Sequence, residues 1–195
     1  MRMQQMRIYT DQWEERAEKV LSRFNYNFPD EIDMHDICWR YGIKIMPLDD
    51  PFTGQYIDFE TVSHLRSFSI PKTSDKHSVI FLKEGLGSIE KKLLLAEEFC
   101  HLHAHHSSQL GMNKYAVEKL ENQAMKMAAY LLMPARFINS VYEAAYDEAV
   151  VISDIADYFL VTEEFAHYRL ELIFNRRVDA FVSHWGMLGT FEWFE

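Results

Sequence analysis

Hydrophobic positions near the start of the chain recur at helical spacing, with Trp13, Ala17, Val20, Leu21 and Phe24 on one face of a helix over residues 11–24. A second helical pattern covers about 31–41 and stops at Gly42. The texture then changes to short runs. Ile43-Lys44-Ile45-Met46 reads as a strand ended by Pro47, and LDDPFTGQY is turn chemistry. Residues 65–70 and 79–82 are two further strands, separated by the breaker-rich PKTSDKHS. From Ser88 onward the pattern is helical throughout: 89–106, 113–132, 134–146, then shorter helices around 154–159 and 163–174. A small sheet followed by helix predicts an α+β fold. The expected division is a core over 1–147 and a helical, helix-turn-helix-like appendage with an aromatic tail over 148–195.

The stretch that carries chemistry is LLLAEEFCHLHAHHSSQ, positions 93 to 109, on the long helix after the last strand. Its middle differs by one residue from the zinc-protease signature H-E-x-x-H, because Glu97 stands where the first His would be. Either a metal site has been lost or a carboxylate has taken over a ligand's position. Residues four apart on a helix differ by only about 40° and lie roughly 6 Å apart along the axis. Glu97, His101 and His105 therefore form a ladder on one face, with Glu98 one position round. Two ligands at that spacing grip one cation from a single helix, and the adjacent carboxylate is placed to take a proton from an attacking water. Leu93, Leu94, Ala96 and Leu102 provide apolar surroundings.

The next helix offers a third ligand. Val117, Leu120, Ala124, Ala128, Leu131 and Leu132 make an apolar stripe with Glu121 in its middle, where an unpaired carboxylate would be costly to desolvate. Small Ala124 and Ala128 permit close helix approach, and Gly111 permits the reversal between the two helices. The expected ligand set is Glu97, His101 and Glu121, with Glu98 as general base and His105 as a reserve ligand. Tyr115, Tyr130 and His105 are the candidates for steadying an oxyanion.

LLLAEEFCHLHAH followed by ENQAMKMAAYLLMP resembles the ImmA/IrrE family of metallopeptidases, whose pattern runs LAHExGHxxxH and then ExxAnxFAaxLLMP. The later ISDIADYFLVTEEFAHYRLEL and the upstream GIKIMPLDD and VIFLKEG resemble the family as well, so the likeness spans roughly 11–175. The resemblance implies a zinc-protease core, with His101 and Glu121 as metal ligands and Glu98 as catalytic base. It also implies a protein substrate, typically a repressor encoded nearby in a phage or other mobile element. Two positions depart from the pattern: Glu97 replaces His, and Cys100 replaces the usual Gly. Two carboxylates and one imidazole around Zn²⁺ leave a site charge near zero, against about one positive charge for two imidazoles and one carboxylate. Glu is a legitimate zinc ligand, but it also suits Mn²⁺ and other harder ions. A pseudoprotease that binds the repressor without cutting it is the alternative that Glu97 keeps open.

Composition narrows the partners. With 20 Lys and Arg against 30 Asp and Glu the formal charge is −10, which opposes nonspecific attraction to nucleic acid or anionic lipid. Cys38 and Cys100 stand far apart in sequence and MRMQQMRIYTDQWEER has no apolar leader region, so a cytoplasmic protein without membrane spans is expected. The rival class is a DNA-binding module: Ser153 and Thr162 would cap two short helices at helix-turn-helix spacing. Glu163 and Glu164 at the start of the second helix would repel phosphates, and Arg169, Arg176 and Arg177 come too late to reverse that.

Overall fold

The computed structural model describes residues 11–72, 77–104 and 114–193. The chain divides into two compact units, one over Asp33–Ala128 and the other joining Met1–Ile32 with Ala129–Glu195. The α+β class expected from the sequence is the class observed.

In the first unit, α2 (Met34–Arg40) is capped by the Asp33 carboxylate and ends before Gly42, whose φ of 70° needs a residue without Cβ strain. A three-stranded sheet follows in the order β1 (Lys44–Pro47), β3 (Val79–Leu82), β2 (Ser67–Ile70). β3 runs parallel to β1 and antiparallel to β2. The turn expected at LDDPFTGQY contains a helical turn, α3 (Asp50–Thr53), whose Phe52 N–H is accepted by the Asp49 carboxylate, and α4 (Phe59–Val62) comes soon after. Side-chain alternation divides the sheet faces. Phe68, Ile70, Val79 and Phe81 point to one side and pack with Leu48, Val62, Tyr56 and Phe59. The opposite face of β2 and β3 meets α5 (Ser88–Ala104), and α6 (Lys114–Leu132) contributes its residues up to Ala128 to this unit.

The second unit is built from α1 (Gln12–Leu21), the last turn of α6, α7 (Ala135–Ala144), β4 (Val150–Val151), α8 (Ile152–Phe159), α9 (Glu163–Phe174), β5 (Ala180–His184) and β6 (Met187–Phe191). The sequence reading placed only helix after Ser88, and the antiparallel sheet β4-β5-β6 corrects it. Trp185 and Gly186, with φ of 52° and 72°, form a two-residue hairpin turn between paired His184 and Met187. The cap assigned to Ser153 is also corrected: α8 starts at Ile152, and the Asp154 carboxylate accepts from the Val151 N–H. Thr162 does cap α9, accepting from the Phe165 N–H at 3.2 Å.

One buried polar network ties this unit together. The fully buried Arg169 donates from Nε to the Met133 carbonyl at 2.9 Å and from Nη2 to the Glu14 carboxylate at 3.0 Å. Its guanidinium lies over the Tyr130 ring, and the Tyr130 hydroxyl donates to Asp11, the cap of α1. Arg169→Met leaves Glu14 buried without its cation and is expected to cost about 3 kcal/mol in denaturant unfolding. Adding Glu14→Leu should recover most of that loss. An Arg169→Met protein as stable as wild type would mean that the pair contributes nothing.

Candidate metal centre

α5 sets the site because its amphipathic phase differs from the expected one. Leu95, Ala96, Phe99 and Cys100 are its fully buried apolar residues, while Leu93, Leu94 and Leu102 are half-buried. That rotation turns Glu98 and His101 inward, each about 9% exposed. Glu97, one turn before His101, is half-buried beside them. Glu121 comes from α6, and its Oε2 lies 3.3 Å from His101 Nε2. With a side chain 42% exposed, Glu121 sits at the margin of the apolar stripe, so desolvation presses on it less than the sequence implied.

Glu97, His101 and Glu121 each place one ligand atom within 4.8 Å of the other two. Ligands of one zinc ion stand roughly 3.3–3.5 Å apart when bonds are about 2.0–2.2 Å long, so small rotamer changes suffice to close this set on a cation. The electrostatics fit as well. Burial pushes the Glu97 carboxyl up, and the neighbouring Glu121 and Glu98 charges push it further. Burial alone would lower His101, but its bond to Glu121 and the surrounding carboxylates outweigh that and hold it above the ordinary imidazole value. Gathered carboxylates that raise one another in this way are what a divalent ion relieves.

Glu98 is held differently. Burial raises its carboxyl, and two β2 side chains oppose that by hydrogen bonding to it: Ser69, and Ser67, whose Oγ donates to Oε1 at 2.8 Å. Sequence reasoning missed both serines, because alternation in Ser67-Phe68-Ser69-Ile70 reads as an ordinary half-exposed strand. Of the other candidates, His105 and Gly111 lie outside the described residues. Tyr115 is 79% exposed, and the Tyr130 hydroxyl is engaged by Asp11. Cys38 and Cys100 are both buried free thiols, and burial pushes Cys38 up to about 12.

Residues 38–171 match the family model described as Peptidase M78, IrrE N-terminal-like domain. The chain belongs to this family. Membership in Peptidase M78 supports a metallopeptidase-like activity, and the Glu-His-Glu group supports a divalent metal. No curated protein matches the chain. Among solved structures, a Mycobacterium tuberculosis transcriptional regulator shares the fold, with a TM-score of 0.55 at 17% identity over 84% of this chain. The match covers 48% of that regulator, so this M78 chain spans about half its length. Among the described residues, no helix is long and apolar enough to cross a membrane.

The raised groups set the pH dependence of metal loading. In the metal-free M78 site, Glu97 and His101 keep their protons to higher pH than they would in water, and an ion must displace them. Affinity is therefore expected to climb as pH rises from the ordinary Glu value of 4.5 through and beyond the ordinary His value of 6.5. The same shifts stabilise the metal-free fold most at low pH, and that contribution fades as pH rises through the raised values. Calorimetric titrations in buffers of different protonation enthalpy measure the protons released. Loading that releases none at weakly acidic pH would contradict this.

Proposed function

We propose that this chain is a cytoplasmic zinc-dependent endopeptidase that cuts one specific protein, a helix-turn-helix repressor of a phage or mobile element. The observation that carries the reading is the convergence within 4.8 Å of Glu97 and His101 from α5, the helix that also buries Glu98, with Glu121 from α6. These three residues would hold the ion, Zn²⁺ in the first instance and Mn²⁺ as a chemically suitable substitute. A divalent ion bound there supplies Lewis-acid polarisation of a peptide carbonyl and lowers the pKa of water. The Glu98 carboxylate takes one proton from the attacking water as its oxygen bonds to the carbonyl carbon. When the C–N bond breaks, Glu98 returns that proton to the leaving amine.

The sheet supports a peptide substrate. The Lys83 N–H donates to the Arg66 carbonyl at 2.9 Å, and the Leu82 and Ser78 carbonyls bond toward β1. Antiparallel alternation with the Ser67↔Leu82 register then turns the main-chain groups of Ser67 and Ser69 away from β3. No strand covers that edge of β2 among the described residues. An extended peptide laid along it would pair with the same two residues whose side chains hold Glu98.

The repressor is the proposed partner by analogy with the resemblance in sequence, and direct DNA binding is disfavoured by what the late arginines do. Arg169 is fully buried, Arg176 bonds Thr190, and Arg177 bonds Asp179. Glu163 and Glu164 stand exposed at the start of α9. Incubation of the metal-loaded chain with the repressor encoded beside it should give two discrete fragments, lost with a chelator. Mobility shifts with DNA at physiological salt should be absent. Stable capture of the repressor without fragments would favour the pseudoprotease reading, and sequence-specific DNA binding would overturn the proposal.

A further inference from the structure

We propose that Ser67 and Ser69 are positioning residues for Glu98, gripping its carboxylate from β2 so that it faces the reacting water. The inference rests on the reading of Glu98 as general base. A glutamate has three side-chain torsions, and burial alone does not choose among its rotamers. Here the Ser67 hydroxyl donates to Glu98 Oε1 at 2.8 Å, and Ser69, two residues along the same strand and roughly 6.8 Å away between Cα atoms, also acts on that carboxyl to oppose its rise. The Ser67 bond sets the place of the carboxylate, and a second hydroxyl on the same face of β2 favours one direction for it. Each hydroxyl is a single donor, so the carboxylate keeps lone pairs for a third partner.

Placement on β2 adds a second consequence. Ser67 and Ser69 direct their hydroxyls toward α5 and their main-chain groups toward the open strand edge. A peptide in register with that edge is thereby in register with the base. One pair of residues sets both halves of the reacting geometry, which is why serine on both alternating positions matters more than polarity alone. A merely structural role, satisfying a buried carboxylate, would lower stability without changing turnover of the folded protein.

The test uses the full chain loaded with Zn²⁺ and a library of internally quenched peptides. Ser67→Ala/Ser69→Ala should lower kcat on the order of tenfold to a hundredfold, as small misplacements of catalytic groups do, with KM and metal content unchanged within about twofold. Thr at both positions keeps the hydroxyls and should restore most of kcat. With Glu98→Gln already present, removing the serines should change the residual rate by less than about twofold, because residues acting as a unit are not additive. A readout independent of turnover comes from denaturant unfolding of the metal-free protein. Ser67→Ala and Glu98→Ala together should depart from the product of their separate effects on the unfolding constant by about fivefold.

Wild-type kcat in the double serine variant, alongside a Glu98→Gln variant that has lost turnover, overturns this proposal and leaves the base assignment standing. Undiminished turnover in Glu98→Gln removes the base assignment and this inference with it. Strictly independent effects in the unfolding cycle would show that the bond exerts no hold on Glu98, and that too overturns the proposal.

Discussion

Glu121→Ala is expected to bind its divalent ion on the order of a thousandfold more weakly than wild type, and to emerge from purification with little metal. The reasoning begins with the ligand count. Three protein groups close on the site, two from α5 and one from α6, and removing one leaves only a single-helix grip. Structural zinc sites draw about 10–16 kcal/mol from four ligands, so loss of one of three carries several kcal/mol. The variant should fold, since the Glu121 side chain is 42% exposed. Glu97→His is the companion measurement. It should keep the metal, because an imidazole at the same helical position reaches the same point, whereas Glu97→Ala should lose it. Chelator competition gives the affinities. Wild-type affinity in Glu121→Ala would remove the proposed site, and wild-type affinity in Glu97→Ala would reduce Glu97 to a helix face and make His105 the next ligand to test.

Glu98→Gln should show the opposite signature: full metal content with cleavage lowered about 10²- to 10⁴-fold, the range over which a positioned base contributes. The amide keeps the shape and can still accept from Ser67, so the metal group and the fold are preserved while the proton acceptor is lost. Elemental analysis and peptide cleavage on the same preparation separate the two variants. A Glu98→Gln protein that has lost its metal would place Glu98 among the ligands, and one that retains wild-type turnover would end its role as base.

Much of this was legible in the residues themselves. Val79–Leu82 could be read to its ends because four consecutive apolar residues are bounded by Ser78 and Lys83, and the structure buries all four. The long helices α5 and α6 announced themselves by period, and the Glu97, His101 and Glu121 grouping was read from i, i+4 spacing and from a carboxylate placed in the middle of an apolar stripe, although the structure sets Glu121 at the margin of that stripe. Other features depend on pairings that sequence distance hides. Arg169 reaches Glu14 across 155 positions, so its burial could not be told from an exposed basic residue late in a helix. Ser67 and Ser69 look like a solvent-facing alternation until α5 is laid over them. The C-terminal hairpin was concealed because Trp185 occupies a left-handed turn position where Asn or Gly would have signalled it.

The sheet that closes the second unit has a consequence for how this chain can vary. Val151 pairs with Ala180, and the Ile152 N–H donates to the Asp179 carbonyl at 2.8 Å, so the chain enters and leaves the α8 and α9 helices at adjacent strands. A segment whose two ends meet can be lengthened, shortened or exchanged with little change in closure entropy, which grows only as the logarithm of length. The two helices thus hang between β4 and β5 as a segment whose surface residues, such as Glu163 and Glu164, can diverge while its inward face, with Arg169 bonded to Glu14 and Met133, stays fixed.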